Sequence, residues 1–174
     1  MSIPRHETDM TPPSSESVIE YTEGLAVGWL GLIGRSVLFA FGSGLSYSSF
    51  SLLWEGGAAA QPKQAGLQST VLRVRVTNVG GPVGRAVAQL YLAAPSSSAP
   101  ELSGTSKPSI RLRGFAKTGR LESGASELLT FALTERDLSF WREGSGWERE
   151  VGTFTALVGQ SSRGPFVQHT FEAR

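Results

Sequence analysis

Apolar residues recur at every second position through much of the chain. Phe50, Leu52 and Trp54 fall on one face of a first run. Leu72, Val74 and Val76 alternate with Arg73, Arg75 and Thr77, the clearest two-residue period in the sequence. Such a period places alternate side chains on opposite faces of a strand, so each run predicts a strand with one buried face. Ala88, Leu90 and Leu92 share one face of a third run, with Val87, Gln89 and Tyr91 on the other. That second face is amphipathic, as expected if it meets a partner. Ile110 and Leu112 alternate with Arg111 and Arg113, and Leu129, Phe131 and Leu133 make another inward face. Phe154, Ala156 and Val158 alternate with Thr153, Thr155 and Leu157. Phe166 to Phe171 reads as a last strand of less definite pattern.

Turn chemistry separates these runs. Thr77-Asn78-Val79-Gly80-Gly81-Pro82 breaks a ladder, because glycine relaxes the backbone and proline removes a donor. Residues 95–108 are a long polar loop. The helical candidate is Thr134 to Leu138, one turn at most, with Thr134 and Asp137 at capping-box spacing. About seven short strands and no strong amphipathic helix predict an all-β fold, an antiparallel β-sandwich of the immunoglobulin or fibronectin III kind. The N-terminal third differs. Residues 1–17 are polar and read as an extended or disordered arm, 18–41 are apolar and glycine-rich, and 42–49 are a turn-rich joint. Val18 to Tyr21 and Leu25 to Val27 are candidates for short buried strands.

Composition narrows the function classes. The 174 residues are too few for a (β/α)₈ barrel, which takes about 250. Sixteen Lys+Arg against 15 Asp+Glu argue against a nucleic-acid binder. With no cysteine there is no disulfide scaffold, thiolate zinc site or thiol catalysis. Two histidines, His6 and His169, argue against a histidine-built metal site, so no metal and no cofactor is expected. Gly24 to Phe41 is broken by Arg35 and four glycines, so no membrane span is expected. Met1 to Glu20 lacks the apolar stretch of a signal peptide, and no compartment follows.

The residues alone assemble no catalytic constellation. Glycoside hydrolysis needs two carboxyls about 5 to 9.5 Å apart. Asp9 lies in the polar arm, Asp137 suits a turn cap, and Glu23 suits a carboxylate met by backbone N–H groups or a basic neighbour. His6 and His169 suit arm and edge-strand positions better than a triad. Gly24 to Gly34 lacks the GK[ST] of a phosphate loop. Arg73, Arg75, Arg111 and Arg113 read as solvated or partner-facing sheet faces. Trp29, Trp54, Trp141 and Trp147 suit core or interface positions, with a sugar-stacking platform as the sharper alternative.

Several segments resemble, in order, those of glycoside hydrolase family 3 β-glucosidases. Glu20 to Gly28 (EYTEGLAVG) resembles the family's Y-x-E-G-L-x-V-G, and Leu38 to Phe50 (LFAFGSGLSYSSF) resembles LFPFGHGLSYTTF. Val74 to Gly80 (VRVTNVG), Ala88 to Leu92 (AQLYL) and Leu112 to Lys117 (LRGFAK) resemble V-x-V-T-N-T-G, VQLYV and LKGFEKV. Asp137 to Trp141, Gly152 to Phe154 and Val158 to Ser162 follow in the family's order.

The resemblance implies that 1–45 corresponds to the end of an α/β sandwich domain, and 46–174 to a C-terminal fibronectin type III-like domain. The family's nucleophilic aspartate and acid glutamate lie in segments that match nothing here, and Glu23 does not stand for the acid. The expectation is therefore a module with no catalytic residues that braces catalytic domains, as a fragment or one chain of a split enzyme. Its partners would be those domains, in cis or in trans, with carbohydrate as a further candidate. The family is often secreted. The alternative is a free-standing module that binds polysaccharide or protein. Ser43 replaces the family's histidine, Leu30 its arginine, and Phe154 a tyrosine whose hydroxyl bond is thereby lost. Residues 24–41 are expected to make the isolated chain sticky.

Overall fold

The computed structural model describes residues 24–56, 59–64, 67–95, 109–142 and 144–173. The expected strand at 18–21, Asp9, His6, Glu23 and most of the polar loop lie outside them. The described residues form ten strands: β1 (Ser49–Trp54), β2 (Ala59–Gln64), β3 (Leu67–Gly80), β4 (Val87–Ala93), β5 (Arg111–Lys117), β6 (Ser126–Leu133), β7 (Ser139–Arg142), β8 (Gly146–Arg149), β9 (Gly152–Gly159) and β10 (Val167–Ala173). Two antiparallel sheets pack face to face. The first centres on β3, which pairs β1 and β2 along one edge and β6 along the other. The second runs β10-β9-β4-β5. β7 and β8 make a separate hairpin.

The inward residues are those marked by the two-residue period. Leu72, Val74, Val76, Leu129, Phe131 and Leu133 from one sheet meet Ala88, Leu90, Leu92, Phe154, Ala156 and Val158 from the other. Burying each large side chain is worth about 1.5–3 kcal/mol before the cost of ordering the chain. Phe154 keeps the packing role expected of it, stacked on Phe171 at 5.8 Å.

Three readings are corrected. Leu25 to Val27 is neither strand nor buried; the chain passes through exposed turns into a single 3₁₀ turn at Gly28–Leu30. No two-residue period marks β2, β7 or β8, and these strands were not expected. β7 and β8 are too short to show one, with Gly144 and Gly146 at positive φ at the turn between them. The basic residues also do not form a common solvated face. Arg73 and Arg75 sit on β3, but the β4–β5 register shifts at Leu90/Tyr91, which makes Arg113 a bulge residue. Arg111 then opposes the core residue Leu92 and reaches the buried Glu150 at 3.0 Å. Thr134 to Leu138 stays a turn. Asp137 Oδ2 accepts from the Thr134 N–H at 2.8 Å and from its hydroxyl at 2.7 Å.

Asn78 pins the turn after β3. It is fully buried, its Nδ2 donates to the Pro82 and Leu121 carbonyls at 3.0 Å each, and its Oδ1 accepts from the Gly80 N–H. Removing the amide takes the Asn78 acceptor from the Gly80 N–H and one donor each from the Pro82 and Leu121 carbonyls, which keep the Ser48 hydroxyl and the Gly84 N–H. Asn78→Ala is expected to lower unfolding free energy by about 1–3 kcal/mol in a urea titration. A loss well under 1 kcal/mol would contradict this role.

Candidate docking site

The outer face of β4 carries the most specific constellation in the molecule. Gln89 and Tyr91 point away from the core, yet both are buried. Trp29 and Gly42 of the chain's own arm lie against them, together with Gln160 and Phe166. The expected partner of this face is thus, at least in part, the arm.

The contact combines a polar centre with an aromatic surround. Gln89 Nε2 donates to the Gly42 carbonyl and the Gln160 carbonyl, both at 2.9 Å. Gln89 Oε1 accepts from the Tyr91 hydroxyl at 2.5 Å. Both amide protons and the phenol proton are therefore satisfied, which buried polar groups require. Tyr91 is flanked edge-on by Trp29 at 5.7 Å and by Phe166 at 5.8 Å. Trp29 stacks on Phe41 at 5.0 Å and 9°. The Ser162 N–H donates to the Phe41 carbonyl at 2.9 Å, and Arg163 Nη2 to the Leu32 carbonyl at 3.2 Å. Gly42 is the point of closest approach. Its φ is +79°, and a Cβ there would land on the Gln89 carboxamide. Glycine answers both constraints, since it adopts positive φ and lets another group reach its backbone.

Burial has an electrostatic consequence. Desolvation pushes the Tyr91 phenol up to about 12 from 10.0. The neutral phenol is the form that donates to Gln89.

Carboxylates elsewhere on the module, and the tryptophan and histidine weighed from the sequence, have structural partners. Glu55, Glu135, Glu148 and Glu150 each hold an arginine. Glu127 Oε2 accepts the Gly119 N–H, and Glu172 accepts from Thr153. Trp54 and His169 lie ring to ring at 5.4 Å between β1 and β10. Burial, then the neighbouring Arg111, lowers the pKa of Arg113, against the pull of Asp137 and Glu150. A small cleft beside the arm, between Trp29, Leu32, Val37 and Arg163, has no carboxylate in its lining. Among the described residues, no three His, Asp or Glu side chains cluster as metal ligands. No helix there is long and apolar enough to cross a membrane. The sequence singles out the outer face of β4, and it places Gly42, Gln160 and Ser162 within family-like segments without giving them a role. Their signal lies in the Phe-Gly-Ser-Gly and Gly-Gln-Ser-Ser segments, which composition cannot rank.

Residues 86–162 match the family model of the fibronectin type III-like domain. Probable beta-glucosidase H of Emericella nidulans is 35% identical over 156 residues, 87% of this chain and 18% of that protein. Beta-glucosidase cel3A of Pyricularia oryzae is 41% identical over 140 residues, 72% of this chain and 18% of that protein. The crystal structure of the beta-D-glucoside glucohydrolase from Trichoderma reesei superimposes with a TM-score of 0.80 at 30% identity, covering 99% of this chain and 26% of that one. The chain belongs to the fibronectin type III-like modules of glycoside hydrolase family 3 β-glucosidases. It spans about a fifth of the length of the curated relatives it matches. The module's β-sandwich is the observed fold, and the relatives also match residues upstream of the domain model.

Two expected outcomes test the site. Gly42→Ala should weaken arm docking, seen as increased protease cleavage within 28–45; unchanged cleavage would contradict the close approach. For Tyr91 the folded pKa lies above the ordinary value, so its contribution is whole below pH 10 and is lost as pH rises from 10 toward 12. The stability difference between wild type and Tyr91→Phe should shrink over that range, measured by denaturant titration at each pH. Parallel curves would refute the assignment.

Proposed function

We propose that this chain serves as the non-catalytic C-terminal module of a family 3 β-glucosidase and braces its catalytic domains. Residues 1–45 correspond to the end of the α/β sandwich domain and 46–174 to the fibronectin III-like domain. The arm then joins the two units by belonging physically to both. One observation carries this reading. The arm turns Trp29 and Phe41 onto the sandwich while Leu25, Val27, Ile33, Leu38 and Phe39 remain exposed on it. Phe115, 73% exposed on β5, extends the apolar surface, because it lies directly opposite Gln89 in the β4–β5 register. A run of exposed large apolar residues beside an ordered strap suits a permanent apolar neighbour. The relatives, of which the chain matches about a fifth, have the further chain to supply it.

The carboxylates support the non-catalytic half of the reading. Among the described residues, the carboxylates named above hold arginines, backbone or hydroxyl groups, and the lining of the cleft contains no carboxylate. In an aryl β-glucoside assay the 174-residue chain alone is expected to release no product above the blank. Turnover that disappears when its own Glu or Asp residues are replaced would overturn the proposal.

Docking through the outer side of the arm has its own test. Cutting the chain near Ser46 would remove the exposed residues but also uncover Tyr91, so point changes discriminate better. Leu38→Ser with Phe39→Ser should lower the self-association of the isolated chain in light scattering while thermal stability holds. Undiminished association would argue against this face.

A further inference from the structure

The β7–β8 hairpin carries a second surface, at the end of the sandwich where β4 finishes and β5 begins. Trp141 and Trp147 face each other directly across the hairpin. Their rings meet at 5.6 Å and 61°, and the residues are 54% and 45% exposed. The Arg136 guanidinium lies 3.3 Å from the centre of the Trp147 ring and covers one side of it. The platform is firmly held. Arg149 bonds Glu135 at 3.3 Å, Arg142 bonds Glu148 at 2.6 Å, and Arg111 ties the buried Glu150 and the Ser139 carbonyl to β5. A cross-strand aromatic pair stabilises a hairpin. Stabilisation alone does not require two indoles to stay half in water, and exposed aromatic surface on a fixed scaffold is the usual ground for recognition.

The surroundings restrict the ligand. Arg142 and Arg149 are each neutralised by a glutamate, and Arg136 lies against an indole. No basic excess remains for a polyanion. The rim still offers guanidinium N–H donors and carboxylate acceptors beside an apolar plane. A neutral pyranose has matching chemistry, with C–H groups on its faces and hydroxyls around its edge. We propose that this corner binds one sugar unit of a soluble glycan. The ring stacks on Trp141, Trp147 forms the side wall, and Glu135 and Arg149 meet the hydroxyls. Two indoles at 61° cannot both lie on a flat crystalline face, so the site selects single chains. The proposal is independent of the docking reading, which uses the arm and the outer face of β4.

The test uses the full 174-residue chain in native gels containing soluble mixed-linkage β-glucan. Wild type should be retarded, and Trp141→Ala should weaken the apparent affinity at least tenfold. Because that variant could disturb the hairpin, the wild-type chain is also titrated with cellopentaose and followed by NMR. The indole N–H signals of Trp141 and Trp147 should move while those of Trp29 and Trp54 stay. No retardation, retardation unaltered by Trp141→Ala, or shifts confined to Trp29 and Trp54 would each overturn the proposal. So would capture by microcrystalline cellulose as strong as binding to the soluble glucan. Shifts of the same two indoles caused only by an added protein would replace the glycan with a protein partner.

Discussion

The path of the N-terminal arm over the sandwich depends on one buried carboxamide. Gln89 stands on the outer face of β4, where a sheet would ordinarily meet water. Its two donors and one acceptor are all engaged within the protein, by Gly42, Gln160 and Tyr91. Once that face is covered, each of these groups needs the others, because an unmet buried carbonyl or N–H costs about 1–3 kcal/mol. The aromatic surround supplies the apolar contact and the amide fixes where the chain must lie. This explains how a glycine-rich segment with no regular secondary structure beyond one 3₁₀ turn keeps a definite path. Its order comes from what it lies on.

This constraint also shapes the functional account. A strap bonded through its backbone carbonyls on one side can present its side chains on the other. Leu38 and Phe39 are exposed while the adjacent Phe41 is stacked beneath Trp29. The same short stretch thereby has a face toward the module and an exposed face, the one offered to the proposed neighbour. The hairpin platform occupies another end and uses different chemistry, cation–π and ion pairs rather than a buried amide.

Core strands were legible because burial on one face writes a two-residue period into the sequence. Leu72 to Val76 and Phe154 to Val158 are the clearest cases. The outer face of β4 was also legible as a surface with a partner, since Gln89 and Tyr91 accompany apolar Val87. Three things were not. The β5 bulge at Arg113 breaks the period locally, so Arg111 turns inward where alternation put it outside. The β7 and β8 strands have four residues each, too few to display a period. The docking of the arm depends on backbone carbonyls of Gly42 and Gln160, and carbonyls leave no signature in side-chain sequence. The ordered family motifs gave the module's kinship, and its fold followed from the strand pattern as well.

The central claim is that segment 28–45 is clasped to the sandwich through Gln89. Native-state hydrogen exchange tests it most directly, at the Ser162 amide that donates to Phe41. The account predicts strong protection there in the wild type and a large loss in Gln89→Ala, with the β3 and β9 core amides still protected. Exchange of Ser162 near the free-peptide rate in the wild type, or protection unchanged in Gln89→Ala, would contradict it.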